Sequence, residues 1–299
     1  MRSPVAPSKS EQGPYSTWSP QALELSRRLD VSLLGREPIS YHRAFVEAYV
    51  PNHSSLIPPE VAEELLSLGC PRGPQRVCDY VPAVLPELLI DLSWNSSRLE
   101  GNRYSLHAAE DLLRNGGIAL DADAVMLLNH KAAIEFLVDC VRQQGFSTLV
   151  VQNLHALLMQ DLLPSGMLGS IRRIPVGIEG TRYSPLQAAG VLEQMLNFIV
   201  DKAILIQHPV EAALFLWVNL AYLQPFADGN KRTSRLAANI PLLINNCMPL
   251  SFLDVEPRDY ARAMLGVYEL QDVALAVDLL SWTYRRSIER YSALIKSKG

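Results

Sequence analysis

One stretch of the sequence concentrates residue types that bind phosphate groups. Residues 223–236 read LQPFADGNKRTSRL, with a proline, a turn signal at 228–230 and then charged residues at helical spacing. Pro225 disfavours helical backbone at the residue before it, so the apolar helix that precedes it should end at Gln224. The turn signal and the pattern after it predict that a new helix begins there.

The start of this new helix is a predicted anion site. The backbone N–H groups of Gly229, Asn230 and Lys231 should point out of the helix N-terminus, where free donors and the helix dipole stabilise negative charge. Arg232 and Arg235 share one helix face, and planar guanidinium groups suit a bidentate grip on phosphate oxygens. An ordinary turn between two helices with solvated arginines would have the same composition, so spacing alone leaves both interpretations open.

Asp228 lies beside this anion site and is a candidate metal ligand. A single carboxylate together with substrate phosphates is a common way for a protein to hold Mg²⁺. Residues 228–235 therefore predict a site for a phosphate-bearing ligand with Mg²⁺ next to it.

Helices must position these residues, because helical periodicity runs through almost the whole chain from Val84 onward. The pattern predicts an all-α fold, with helices near residues 84–98, 105–115, 121–144, 147–161, 185–204, 209–223, 230–246, 257–269 and 273–296. One segment differs, because residues 168–185 alternate apolar and polar side chains around two glycines. This alternation predicts a small β-hairpin inserted into the helical domain.

The first part of the chain has a different composition. Residues 1–18 are rich in serine and proline, which predicts a flexible arm. Residues 19–81 hold short helical patterns and predict an N-terminal helical extension, with its boundary at the Gly- and Pro-rich residues 69–75. Residues 82–299 then form the main domain.

Composition and charge exclude several classes of protein. With 48% hydrophobic and 19% charged residues among 299, the chain is globular and can bury a full core. A net charge of −4 removes the overall attraction to nucleic acid that such binders show, so no nucleic-acid partner is expected. No apolar stretch approaches the roughly 20 residues that span a bilayer, and no signal peptide is recognisable, so no membrane segment and a cytoplasmic location are predicted.

The cysteines are scattered through the chain. They are Cys70, Cys78, Cys140 and Cys247, and no two of them form a Cys-x-x-Cys pair. This spacing predicts reduced, buried thiols rather than a disulfide framework or a zinc site.

The stretch at 224–235 resembles the signature of the Fic family, His-Pro-Phe-x-Asp-Gly-Asn-Gly/Lys-Arg-x-x-Arg. The matching residues are Pro225, Phe226, Asp228, Gly229, Asn230, Lys231, Arg232 and Arg235. The family has its catalytic histidine at the position that Gln224 occupies here. The resemblance covers about residues 82–290 and implies a Fic-type helical core with a β-hairpin flap.

Two further segments resemble parts of the same family. Residues 96–102 resemble its inhibitory helix, Ser/Thr-x-x-x-Glu-Gly/Asn, with Ser96, Glu100 and Gly101 at the matching positions of a helix expected near 93–102. Residues 168–183 resemble the flap, an edge that aligns a target peptide over the active site by strand addition. The resemblance therefore implies a protein target that docks on this flap.

The resemblance also implies a role for each matching residue. Asp228 would bind Mg²⁺, and the amides that follow it would hold the α- and β-phosphates of ATP. Arg232 and Arg235 would clamp the outer phosphates. Glu100 would pair with Arg235 at the place of the γ-phosphate, so that the protein inhibits itself. Tyr260 and Tyr268 lie two helical turns apart, where the family completes the adenine pocket. Either ring could stack on a base, but the sequence favours core residues.

Gln224 affects the expected catalysis most. In the family the histidine accepts the proton of the target hydroxyl, which an amide cannot do, so acid–base catalysis worth about 10²–10⁴-fold should be missing. Another histidine as the base is a separate question. His208 should lie at the far end of the same helix, about 24 Å away at roughly 1.5 Å per residue. The sequence excludes neither His107 nor His155.

Three functions remain open at this stage. The first is a weak, autoinhibited protein adenylyltransferase (AMPylase) that uses ATP and Mg²⁺, and the second is a nucleotide-sensing or protein-interaction module without catalysis. The third is a protein phosphotransferase, because Lys231 resembles the Doc branch of the superfamily. A homodimer is also open.

Overall fold

The computed structural model describes residues 18–70, 81–116, 119 and 121–298. Almost all of the predicted arm at 1–18 lies outside these residues, as do Cys78 and most of the predicted boundary at 69–75.

The described fold is almost entirely helical, as the periodicity predicts. Its helices are α1 (Pro20–Arg28), α2 (Arg43–Glu47), α3 (Pro59–Gly69), α4 (Val81–Arg98), α5 (Leu106–Asn115), α6 (Ala122–Gln144), α7 (Thr148–Leu158), α8 (Ala189–Leu205), α9 (Pro209–Leu223), α10 (Asn230–Ala237), α11 (Asn239–Ile244), α12 (Pro257–Leu270) and α13 (Ala274–Lys298). Two short strands complete it, β1 (Ile39–Ser40) and β2 (Tyr183–Ser184). None of the described helices combines the length and the apolar character that a bilayer-spanning segment needs.

Side-chain caps start several helices. Ser19 Oγ accepts a hydrogen bond of 3.2 Å from the Ala22 amide at the start of α1. The same contact begins α5, α6 and α7, where the capping residues are Ser105, Asp121 and Ser147. Each cap satisfies one of the backbone donors that a helix N-terminus leaves free.

Helix α9 is the centre of the core. All of its residues are buried, and it packs against α3, α8, α10, α11 and α12. A helix that is apolar on every side is stable only when other elements surround it. Because α9 ends immediately before Gln224, the start of the signature stretch is fixed to a helix whose residues are all buried.

The single helix predicted for 230–246 is two helices. Helix α10 ends at Ala237 and α11 begins at Asn239. Pro241 has no N–H group, so it cannot donate to the carbonyl four residues earlier, and an uninterrupted helix would lose that bond. The split leaves the signature residues on the short helix α10.

The small sheet differs from the predicted hairpin. Within the described residues, the segment 168–183 does not pair with itself. Instead β2 pairs in parallel with β1 of the N-terminal extension, with Ile39 opposite Tyr183. Arg36 adds contacts to the Gly180 carbonyl and to the carboxylate of Glu269. The alternating pattern therefore marks a segment that binds other parts of the chain, because its polar groups find partners outside the segment.

The N-terminal extension shares the core of the main domain. The carboxylate of Glu211, in the first turn of α9, accepts a hydrogen bond of 3.0 Å from the Tyr49 hydroxyl. The same carboxylate accepts the amides of Leu56 and Ile57 at 2.6 and 3.1 Å. Helices α1 and α3 also pack against α13. The extension is therefore an integral layer of the fold.

The prediction of reduced thiols is wrong for two of the cysteines. Cys70, at the end of α3, forms a disulfide with Cys247, which follows α11, and 177 positions separate them in the sequence. Local spacing gave no sign of this pairing, because tertiary packing brings the two residues together.

Candidate active site

The signature loop between α9 and α10 is held by its own side chains. The Asn230 side-chain amide donates to the Phe226 carbonyl, and its oxygen accepts the Phe226 amide, both at 2.9 Å. Gly229 has φ +71°, and a Cβ at this position would lie 2.5 Å from Met159 Sδ. The loop thus requires glycine at 229 for both its backbone conformation and its close approach to α7.

His155 on α7 packs against this loop. Its ring stacks on Phe226 with centroids 3.9 Å apart. Nδ1 accepts the Gly169 amide at 2.9 Å, so the remaining proton is on Nε2, which donates to the Asp228 carbonyl at 3.0 Å. Burial lowers the pKa of His155 to about 4, although the Asp228 carbonyl opposes this. Both ring nitrogens are engaged, so His155 positions the loop and has no free nitrogen to act as the base.

Arg232 presents buried guanidinium donors that the described residues leave unpaired. Its Nη2 lies 3.4 Å from Asp228 Oδ2, while Nε and Nη1 are buried without a hydrogen-bond partner. Burial lowers the pKa of Arg232, and the nearby Asp228 and Glu100 oppose that change. A buried, charged donor without an acceptor is costly, so this arrangement favours an incoming anion.

Glu100 forms ion pairs with both Arg235 and Lys231. It lies just after the end of α4 and contacts Arg235 Nη2 at 2.7 Å and Lys231 Nζ at 3.0 Å. Burial alone would raise the pKa of Glu100, but Arg235 and Lys231 outweigh burial and hold it below its ordinary value. The carboxylate is therefore ionised and occupies the guanidinium of Arg235.

Arg235 is fully buried and is held from several directions. Nε donates to Ser96 Oγ at 3.0 Å, and Nη2 donates to the Ser96 carbonyl at 2.9 Å. The guanidinium also lies 4.9 Å from the ring centre of Tyr260. One nitrogen, Nη1, has no partner among the described residues.

Gln224 has left-handed backbone, with φ +52°, at the end of α9. Its side-chain amide donates to the Ala221 carbonyl at 2.6 Å, so the side chain folds back onto the helix that it ends. Arg172 holds the same residue, because its Nε donates to the Gln224 carbonyl at 2.7 Å. The side chain at the position of the family's catalytic residue thus serves as a helix cap.

Residues 145–242 match the sequence model of the Fic/DOC family. The chain is 26% identical over 221 residues to protein adenylyltransferase fic-1 of Caenorhabditis briggsae, and 27% identical over 212 residues to protein adenylyltransferase Fic of Aedes aegypti. Each match covers 69% of this chain and 42% of the relative, so the chain spans less than half the length of these curated relatives.

Solved structures give the same fold. Fic-1 of C. elegans, amino acids 134–508, matches with a TM-score of 0.63 and 20% identity, over 86% of this chain and 73% of that one. A Fic family protein from Desulfovibrio desulfuricans G20 matches with a TM-score of 0.63 and 19% identity, over 82% and 77%. Residues 145–242 are therefore part of a Fic domain.

The Fic domain brings together most of the residues that the sequence singled out. Asp228, the loop amides, Lys231, Arg232 and Arg235 lie at one site, and Glu100 joins it from a distant part of the chain. Gly101 lies next to Glu100 with φ +88°, a conformation that few other residues adopt, and it ends the turn that carries the carboxylate.

The two tyrosines proposed for an adenine pocket are both buried. Tyr260 accepts a hydrogen bond of 3.2 Å from Trp217 Nε1 and faces Arg235. Tyr268 stacks on Tyr183, with ring centres 5.5 Å apart. Tyr260 therefore borders the Fic-domain site through Arg235, and contact of either ring with a base stays a prediction.

The other histidines weighed as a base lie away from Gln224 or on the surface. His208 caps the N-terminus of α9, at the opposite end from Gln224, as the helix length predicts. His107 is exposed on α5, which packs against α4 and α6.

Sequence reasoning missed two residues that shape the site. His130 on α6 contacts Ser96, and Arg172 connects the segment 168–184 to the signature loop. Arg172 donates to the carbonyls of Gln224, Ile174 and Leu186. Neither residue belongs to a local motif, so no sequence signal was available for them.

Proposed function

We propose that the Fic domain binds ATP at residues 228–235 and is held inactive by Glu100. The observation that carries this proposal is the pair of buried, unpartnered guanidinium nitrogens on Arg232, next to the N-terminus of α10. Phosphate oxygens would satisfy these donors, together with the free Nη1 of Arg235. The helix N-terminus supplies further N–H groups and a favourable dipole.

Mg²⁺ fits the same site when phosphate supplies most of its ligands. The Asp228 side chain is about two-thirds exposed, at 65%, so an incoming metal ion could reach its carboxylate. The metal would then be held by this one carboxylate and by substrate oxygens. Mg²⁺ bound there would neutralise phosphate charge.

Inhibition by Glu100 would be a competition for Arg235. The carboxylate takes the donor that an outer phosphate would use, and Lys231 stabilises it there. ATP would have to displace Glu100, or bind with its outer phosphate elsewhere. Replacing Glu100 should therefore strengthen ATP binding.

The reaction that we propose is adenylyl transfer to a protein hydroxyl. Support comes from the relatives named protein adenylyltransferase. The hydroxyl oxygen would bond to the α-phosphorus, pyrophosphate would leave, and the hydroxyl proton would pass to water, because Gln224 cannot take it. The rate should then be lower by about 10²–10⁴-fold than with a histidine at this position.

A nucleotide sensor without catalysis is a second candidate. The observation in its favour is the hydrogen bond from the Gln224 side chain to the Ala221 carbonyl, which commits that side chain to capping α9. Such a protein would bind ATP, release Glu100 and signal through the turn that carries it.

The target of either activity would dock on the segment 168–183. Ile174 is exposed there, at 49%, and gives an incoming peptide an apolar contact. A homodimer remains a further prediction.

The test is calorimetric titration of Mg·ATP into wild-type, Glu100→Gly and Arg232→Ala protein. We expect tighter binding in Glu100→Gly and loss of binding in Arg232→Ala. Arg258→Ala, a substitution near the start of α12 outside the phosphate site, is the matched control. Equal affinity in all four proteins, or no binding at all, would contradict the nucleotide site.

A second step separates the candidate reactions. The Glu100→Gly protein is incubated with ATP labelled at the α- or the γ-phosphate and a cell extract as the source of targets. Protein labelling from the α-phosphate supports adenylyl transfer, and labelling from the γ-phosphate supports the phosphotransferase. Binding without either label favours the sensor.

A further inference from the structure

The buried ring of His130 lies directly behind the inhibitory turn. His130, Ser96, Ser97 and Arg235 all have 0% exposed surface. His130 Nε2 is 2.9 Å from Ser96 Oγ, and Nδ1 is 2.9 Å from the Met126 carbonyl and 3.2 Å from Ser97 Oγ. A single side chain of α6 thus contacts two consecutive residues at the end of α4.

These contacts define which nitrogen of the His130 ring carries the proton. A carbonyl oxygen only accepts, so Nδ1 must carry the ring proton that it donates to Met126. Nε2 is then an acceptor, and the Ser96 hydroxyl donates a hydrogen bond to it. The Ser96 oxygen keeps its lone pairs for Arg235 Nε, at 3.0 Å. The neutral ring therefore orients Ser96 as an acceptor for Arg235.

The same turn also carries Glu100. The Ser97 carbonyl accepts the amides of Glu100 and Asn102, at 2.9 and 3.2 Å, which closes the turn. Anchoring residues 96 and 97 consequently fixes the place of the Glu100 carboxylate relative to Arg235. Burial lowers the pKa of His130 to about 3, and Arg232 and Arg235 contribute to this, so the ring is neutral near pH 7.

We propose that His130 is a positioning residue of the inhibitory contact, which anchors the turn 96–100 so that Glu100 stays on Arg235. The inference rests on the proposed function, because its effect on ATP passes through Glu100. His130 itself touches neither the phosphate loop nor Gln224 in the contacts described. Its loss should therefore loosen the contact between Glu100 and Arg235, while Asp228, Arg232 and the loop amides keep their own contacts.

The first test compares ATP affinity in two backgrounds. His130→Asn keeps a polar group near the Nδ1 position but has no acceptor at the Nε2 position. His130→Gln can place an acceptor there. In the wild-type background, His130→Asn should tighten Mg·ATP binding by about fivefold, the effect of losing one hydrogen bond between neutral groups, with His130→Gln closer to wild type. In the Glu100→Gly background, His130→Asn should change affinity less than twofold.

Several outcomes would overturn the proposal. One is a folded His130→Asn protein, judged by its thermal midpoint, with wild-type affinity for ATP. Another is an equal loss of affinity in both backgrounds, which would show that His130 serves the nucleotide site or the fold in general. His107→Asn, an exposed histidine on α5, is the matched control and should leave affinity unchanged.

A second readout needs no nucleotide. The pKa of the Glu100 carboxyl group, followed by ¹³C NMR, should rise toward its ordinary value in His130→Asn, because Arg235 would no longer be held against it. An unchanged Glu100 pKa would contradict the positioning role even if ATP binding could not be measured. If neither wild-type nor Glu100→Gly protein binds ATP while the pKa does rise, the proposed function fails and the anchoring by His130 stands.

Discussion

At the scale of single residues, Gln224 is the position where the stretch 224–235 departs from the Fic signature. Its backbone carbonyl accepts a hydrogen bond from Arg172, and its side chain caps α9. Both groups therefore stabilise the local structure. The residues that we propose for phosphate binding lie together around it. The proposed anion site is thus combined with an amide side chain at the position where transfer would need a proton acceptor.

Replacing this side chain should restore proton transfer. We expect Glu100→Gly/Gln224→His to transfer label from α-labelled ATP faster than Glu100→Gly by about 10²–10⁴-fold, because imidazole can accept the hydroxyl proton. Initial rates of protein labelling measure this gain. Glu100→Gly/Gln224→Ala is the control, and an equal rate in all three proteins would show that position 224 has no part in the reaction.

His155 makes stability depend on pH. Its pKa in the folded protein is about 4, below the value of about 6.5 in an unfolded chain. Between these values the unfolded state binds more protons, so the free energy of unfolding should fall as pH is lowered from 7 to 5, by up to about 1.4 kcal/mol per pH unit for this proton.

Urea titrations at pH 7, 6 and 5 measure this effect. His130 contributes in the same direction, because its pKa is also lowered, to about 3. In His155→Gln, the slope of the unfolding free energy against pH should be smaller by the contribution of one proton. The variant His107→Gln, at an exposed position, should retain the wild-type slope. A His155→Gln slope equal to that of wild type would contradict the assignment of His155 as a buried neutral ring.

At the scale of elements, the segment 168–184 is bound to the signature loop through Arg172. The Arg172 amide also donates to the Pro225 carbonyl, at 3.0 Å. Arg172→Met should lower the free energy of unfolding by about 2–3 kcal/mol, because several buried carbonyls lose their donor. It should also speed proteolytic cleavage within 168–184.

Limited proteolysis with mass analysis locates the cleavage. Arg173→Met, the neighbouring residue, is the control. Equal cleavage of the two variants would mean that Arg172 does not hold the segment in place.

Helix positions were predictable because their determinants are local. Apolar periodicity, serine and aspartate caps and the proline after Gln224 all act within a few residues, and α9 ends where Pro225 predicts. The prediction of a hairpin was wrong, because alternating apolar and polar residues at 168–183 also suit a segment whose partners lie far away in the sequence. Ile39 and Glu269 are two such partners. The site residues in the signature were found through their spacing, whereas His130 and Arg172 act through tertiary contacts that no local pattern encodes.

At the scale of the whole molecule, the Cys70–Cys247 disulfide connects the extension to the core across 177 positions. Closing a loop of this size restricts the unfolded chain, and the entropic model gives a stabilisation of about 5 kcal/mol. Adding dithiothreitol should therefore lower the thermal midpoint of the wild-type protein. The scan is read by circular dichroism.

Cys247→Ser supplies the comparison. Its thermal midpoint should equal that of the reduced wild type and should not respond to dithiothreitol. A wild-type midpoint that is the same with and without the reductant would show that the disulfide does not form in solution.

The pairing of β1 with β2 affects how a target could reach the segment 168–184. β1 belongs to the same folded chain, so it occupies this edge without the loss of translational and rotational freedom that a free peptide incurs on binding. A peptide that adds a strand at residues 182–184 must compete with this neighbour. A target that uses this edge must therefore bring additional contacts of its own.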